Sequence, residues 1–191
     1  MQIHSTDDKL ERAAIAFRHK DYVTAAEVYG QLASDGHTES MVMLGWLQLN
    51  GLGVTRDEAK AIESFQRAAG LGSAIGNFYY GRYLTRIAKH AEAFPHYRVA
   101  AGMGHMPSTF WVGYMAARGH GIKQDLPLAY RFLILAAKRG HMHALREVAV
   151  LDIRGHRGFV WRLLAPAEFT VAVIGAFVVG LFAAESDLLR A

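Results

Sequence analysis

The chain has 191 residues with ten histidines and no cysteine, which bounds the chemistry its side chains can do. The nearest approach to a ligand cluster is His141-x-His143, with His105 and His120 elsewhere in the chain. Residues two apart on a helix point to different faces, and no acidic ligand accompanies this pair, so no bound metal is expected. Without cysteine there are no disulfides, thiolate zinc sites or cysteine nucleophiles. Gly51-Leu52-Gly53 has no strand before it and no Gly-Lys-Ser/Thr after it, so it is not a phosphate cradle. There is no nucleophile elbow and no defensible pair of carboxylates, and Glu63 and Glu92 read as solvated helix positions. The expectation is a chain with no catalytic residues and no cofactor, and therefore not an enzyme.

Arginine and aromatic side chains do recur at fixed separations. Asn50, Arg86, Arg118 and Arg154 form one series, Trp46, Arg82 and Tyr114 a second, and Met43, Tyr79 and Trp111 a third, with Tyr83 beside them. Aromatic and Arg side chains carry most of the energy at protein interfaces, and a guanidinium can grip a carboxylate through paired N–H donors. The alternative is that the aromatics pack between elements and the arginines form a solvated edge.

Such series line up in space only if the chain repeats. Closing glycines at Gly36, Gly72, Gly104 and Gly140 fall 36, 32 and 36 residues apart. Leu44-Gly45, Tyr80-Gly81, Val112-Gly113 and Val148-Ala149 keep the same spacing. Each unit reads as a helical hairpin. Its first helix, A, carries an apolar and a small residue side by side, where a neighbour must approach closely. A loop such as Gly51–Asp57 or Gly119–Asp125 follows, its glycines suited to positive φ and its Asp placed to cap the second helix, B. Helix B carries Ala61, Phe65 and Ala68, or Ala129, Leu133 and Ala136, at helical spacing.

This pattern resembles the Sel-1-like repeat family, a tetratricopeptide-like group. Residues 38–72 carry Leu44, Gly45, Gly51, Gly53, Val54, Asp57, Lys60, Ala61, Ala68, Ala69 and Gly72; residues 105–140 match nearly as well, with Ile122 for Val and Leu128 for Lys. Residues 73–104 lack four loop residues and both loop glycines, so a tighter turn is expected there. Residues 5–36 form a degenerate first unit, and 141–155 supply only helix A of a last one. The resemblance implies an all-α fold: a right-handed α/α solenoid of about four hairpins, over residues 1–157. It also implies a concave face used as a scaffold in protein complexes, on which the three series would lie as candidate partner-binding residues.

A composition of 52% hydrophobic and 20% charged residues suits one ordinary domain with an appended element. Nineteen glycines against four prolines favour helices joined by glycine turns. The net charge of +4, with Lys and Arg in no dense patch, does not point to nucleic acid. The polar start, Met1 to Lys9, does not read as a secretory signal, which predicts a cytosolic repeat domain.

Residues 158–191 change character. From Leu163 to Ala184 there are 22 residues with Glu168 as the sole charge, long enough as a helix (roughly 33 Å) to cross a hydrocarbon core. Arg154, Arg157 and Arg162 precede it, while Glu185 and Asp187 follow. By the positive-inside rule the repeats would face the cytoplasm, with the chain anchored by its tail in the inner membrane. Glu168, Ala172, Ala176, Gly180 and Ala184 recur every fourth residue, a face suited to helix packing in lipid and so to self- or hetero-association. A capping helix on a soluble solenoid is the alternative.

The functional expectation is a non-enzymatic scaffold that recruits or positions a protein partner in a membrane-associated complex. Its rivals are a soluble adaptor whose apolar tail a partner buries, an accessory subunit of a membrane-bound enzyme complex such as one for polysaccharide synthesis or export, and a hydrolase with a site not visible in the sequence.

Overall fold

The computed structural model describes residues 5–156 and Thr170. Among them are nine α-helices and no strand: α1 (Thr6–Arg18), α2 (Tyr22–Ser34), α3 (Thr38–Asn50), α4 (Glu58–Gly70), α5 (Ala74–Arg86), α6 (His90–Gly102), α7 (Met106–Arg118), α8 (Leu126–Lys138) and α9 (Met142–Ile153). Among the described residues α1–α2, α3–α4, α5–α6 and α7–α8 pair as hairpins, and α9 follows them. The membrane helix expected at 163–184, with Glu168, Ala172, Ala176, Gly180 and Ala184, lies outside the described residues. Among the described residues no helix is long and apolar enough to cross a membrane.

The chain divides into two compact units, one ending at His105 and one beginning at Met106. The first holds hairpins α1–α2, α3–α4 and α5–α6, stacked so that α2 packs on α3 and α4 on α5. The second holds α7, α8 and α9, with α8 against both of the others.

The helices start where the sequence supplies an acceptor for their free amides. Asp57 and Asp125 take the amides of Lys60 (3.0 Å) and Leu128 (2.9 Å), capping α4 and α8 as expected. Ser5 and Asp8 cap α1 reciprocally, while Asp21, His37 and Ser73 cap α2, α3 and α5. Lys89 stands at the same place before α6 and gives no side-chain cap.

Two kinds of turn alternate. The long loops leave α3 and α7 through Gly51 (φ 67°) and Gly119 (φ 69°), in the left-handed region that glycine enters without a Cβ penalty. The short turns after α1 and α5 make the same excursion without glycine, at Lys20 and Ala88, both at φ 61°. The tighter turn expected in residues 73–104 is therefore real, and it places a non-glycine residue in a costly conformation.

Within each hairpin the small residue of helix A marks the crossing with helix B. A Cβ on Gly45 would stand 2.8 Å from the Phe65 ring, and one on Gly113 2.8 Å from Leu133 Cγ and 2.9 Å from its amide nitrogen. Ala13 and Ala149 hold the equivalent positions in α1 and α9, fully buried. The first unit has two core clusters. One gathers Ala13, Ala25, Val28 and Leu32 with Leu47, and the other Met41, Val42, Ala61, Phe65 and Ala68. The second unit's core is Ala116, Ala129, Leu133, Ala136, Ala144 and Val148.

Candidate partner-binding face

On α3, Met43 and Trp46 are half-buried against the first cluster, and the indole meets the edge of Phe17 at 5.6 Å. Asn50 is exposed, its amide donating back to the Trp46 carbonyl at 2.7 Å. On α5, which touches α3, Tyr79 stacks on Phe65 at 4.8 Å and 16°. It therefore serves chiefly as a packing residue between hairpins. Tyr83 is half-buried near Tyr80, and Arg82 is exposed with its guanidinium 5.8 Å from the Phe78 ring.

Arg86 is exposed, lies 5.6 Å from the Tyr83 ring, and pairs with Glu58 at the start of α4. Its hydrogen bonds hold the Glu58 carboxyl below the usual carboxylate range, and the guanidinium is pushed up in return. Both groups lie in water, so the pair is weak and open to exchange with another carboxylate.

In the second unit, Trp111 and Tyr114 of α7 form an aromatic group with Phe110. Arg118 lies 3.7 Å over the Tyr114 ring and donates to Glu147 on α9 at 2.9 Å. Arg154 is exposed at the end of α9. The candidate residues thus divide by task. Arg82, Arg86, Asn50 and Arg154 face solvent, Tyr79 and Trp46 are tied into packing, and Arg118 is held by a buried acid.

Three residues with structural weight stand outside the sequence reading. Glu147 is buried and receives Arg118, and Asp152 is fully buried and accepts from the Tyr130 hydroxyl at 2.8 Å. A signal was present: Glu147 lies 36 residues after Trp111, and so continues the series Met43, Tyr79, Trp111 with a carboxylate. A charge in an otherwise apolar series asks for a cation, and Arg118 is that cation.

The described residues contain no group of three His, Asp or Glu side chains able to hold a metal ion. A cleft of about 230 Å³ opens in the first unit among α2, α3 and α4, over Met41 and Leu44 and rimmed by Gln48, Lys60, Ser64 and Arg67. It is smaller than most small-molecule sites, and Glu63 lines it together with Lys60 and Arg67.

The family model for the Sel1 repeat matches residues 38–73 and 107–141, which are α3–α4 and α7–α8 with the turns that close them. The chain carries Sel1 repeats. Solved structures agree with this fold. A Sel1 repeat protein from Oxalobacter formigenes aligns with a TM-score of 0.75 at 20% identity, over 92% of this chain and 76% of that one. A protective antigen present in uropathogenic Escherichia coli strains, displaying an SLR fold, aligns at 0.73 and 19%, over 86% of this chain and 38% of that one. An immunity protein from Pseudomonas aeruginosa aligns at 0.54 and 19%, over 84% and 65%. The Sel1 chain here therefore spans well under half of the Escherichia coli antigen. Identities this low carry the fold, an all-α α/α solenoid, and nothing finer. Sel1-repeat proteins are typically protein-interaction scaffolds, and the fold is generally non-catalytic.

Proposed function

We propose that this Sel1-repeat chain is a scaffold that holds a protein partner on the exposed side of its A helices, and that the partner's contacting segment is acidic. One observation carries the reading. In the first unit α5 exposes Arg82 and Arg86 beside Tyr83, and the helix has no carboxylate of its own. Helix α4, by contrast, balances Glu58 and Glu63 against Lys60 and Arg67. A basic aromatic helix face of this kind suits an acidic segment by charge and by the side chains that dominate interfaces. In the first unit a partner carboxylate would displace Glu58 from Arg86, an exchange between two solvated ion pairs.

The finer part of the proposal concerns place. The run 163–184, with arginines before it and acids after, supports membrane attachment with the repeats on the cytoplasmic side and a partner within a membrane complex. Carbonate and detergent fractionation of the full chain and of a version ending at Arg157 tests this. Retention of the full chain until detergent is added, with release of the shorter one, supports attachment. A full chain that is soluble and monodisperse alone removes it.

Arg82→Glu and Asn50→Glu test the face itself, since both side chains are exposed. A partner that co-purifies with the wild-type chain should be lost with Arg82→Glu while the thermal melt is unchanged. Undiminished co-purification with both variants would place the contact elsewhere.

A further inference from the structure

His141 stands at the N-cap of α9, and its imidazole lies face to face on Phe110 of α7, with ring centroids 4.5 Å apart and planes 15° from parallel. Its Nδ1 is sealed from solvent and has no hydrogen-bond partner. At the equivalent place before α3, His37 Nδ1 accepts the Ser40 amide at 3.2 Å and lies 2.9 Å from the Ser40 hydroxyl. Before α9 the corresponding residue is Ala144, fully buried, which offers no hydroxyl.

Among the described residues the surroundings hold no free acid. His143, exposed on α9, lies 5.9 Å from His141 ring to ring. Lys138 and Arg139 close α8, with Arg139 donating to Met106 Sδ at 3.2 Å; α7 contributes Tyr114, and α9 adds Arg146 beyond His143. The two acids of α9, Glu147 and Asp152, are engaged with Arg118 and Tyr130. Burial first, and His143 second, lower the His141 pKa from its ordinary value. A tilted histidine–phenylalanine contact stands one repeat earlier, in the other unit. There His105 lies 4.7 Å from Phe78, at 50°, and burial lowers its pKa too.

We propose that His141 is an acid-operated latch on the first turn of α9. Neutral, the ring stacks on Phe110 and closes the start of α9 against α7. Protonated, it would carry a charge on a buried ring, beside a second histidine and at the positive end of a helix, with its own residue's backbone as the one group favouring the charged form. The imidazolium therefore leaves the ring face for solvent, and the first turn of α9 opens. Because the folded value is depressed, the latch is closed above the unfolded value of about 6.5 and releases as pH falls below it. Opening loosens the helix that holds Glu147 against Arg118, so acid also alters the α7 face.

Hydrogen exchange of the full chain at pH about 7.5 and about 5.5, corrected for intrinsic rates, tests the latch. Wild-type amides in the first turns of α9 should lose protection about tenfold or more. His141→Phe keeps a stacked ring and removes the proton, so its change should stay under about twofold; His143→Gln should retain most of the loss. Loss of protection in His141→Phe equal to wild type overturns the proposal. Should that variant fold poorly, an NMR titration of wild-type His141 decides. A midpoint below 6.5 that coincides with α9 opening supports the latch. An ordinary midpoint, or opening uncoupled from it, refutes the latch.

Discussion

Arg118 and Glu147 face each other across α7 and α9 at 2.9 Å, and the acid is buried while the base is about one-third exposed (34%). A further contact joins Arg146 to the same carboxylate at 3.8 Å. Taking a carboxylate out of water is costly unless a cation and its hydrogen bonds stay with it. The pair therefore fixes how α9 docks within the second unit.

Arg118→Ala should destabilise the second unit by about 1–3 kcal/mol, the lower part of the range for a broken buried pair because Arg118 is partly solvated. Pairing it with Glu147→Leu should recover most of that loss by removing the stranded charge. Urea melts of the single and double variants check the sign. A single variant as stable as wild type would remove the pair from the account of α9 docking.

Two glycine substitutions should move stability in opposite directions. Gly113→Ala drives a Cβ to 2.9 Å from the Leu133 backbone, and should cost about 2–3 kcal/mol by forcing α7 and α8 apart. Gly30→Ala meets nothing within 4 Å in α2, and should stabilise by about 0.5–1 kcal/mol through helix propensity. Thermal melts of the two variants decide between this crossing geometry and a looser one.

Ala88→Gly should stabilise by about 0.5–1 kcal/mol, because the turn before α6 already holds a residue at φ 61°. Lys89→Asp should add a further fraction by supplying the cap that α6 lacks, although it breaks an exposed pair with Glu92. Chemical denaturation of each variant measures both effects.

Acid should weaken the fold in two separate windows. Burial lowers the pKa values of His96, His105 and His141, so the unfolded chain binds more protons and stability falls as pH drops below about 6.5. Asp21, Asp57 and Glu58 are held low by hydrogen bonds to Thr24, Lys60 and Arg86, and their contribution goes only below the ordinary carboxylate range. Denaturation midpoints measured from about pH 8 to about pH 3 should show a first decline near the histidine range and a second near the carboxylate range. A single decline confined to the carboxylate range would contradict the buried-histidine account.

The fold was legible because its markers are backbone requirements. Gly45 and Gly113 sit where only a hydrogen fits, and Asp57 and Asp125 sit where an amide needs an acceptor, so spacing alone located four hairpins. The tasks of individual side chains were less legible, since they depend on which neighbour the packing supplies. Tyr79 and Trp46 occupy the expected register yet turn to Phe65 and Phe17. Asp152 and Tyr130 meet from α9 and α8 at positions where α5 and α4 have Leu84 and Ile62. Nothing in a repeat consensus announces that exchange of an apolar pair for a hydrogen bond.

The most direct test of the scaffold reading is photo-crosslinking from single positions on the full chain in its native cell. Position 82 on α5 and position 63 on α4 are both exposed and lie on different helices of the first unit. The account predicts one discrete protein adduct from position 82, lost when Arg86 is also changed to Glu, and none from position 63. An adduct from position 63 with none from position 82 would contradict it, placing the partner on the B helices instead.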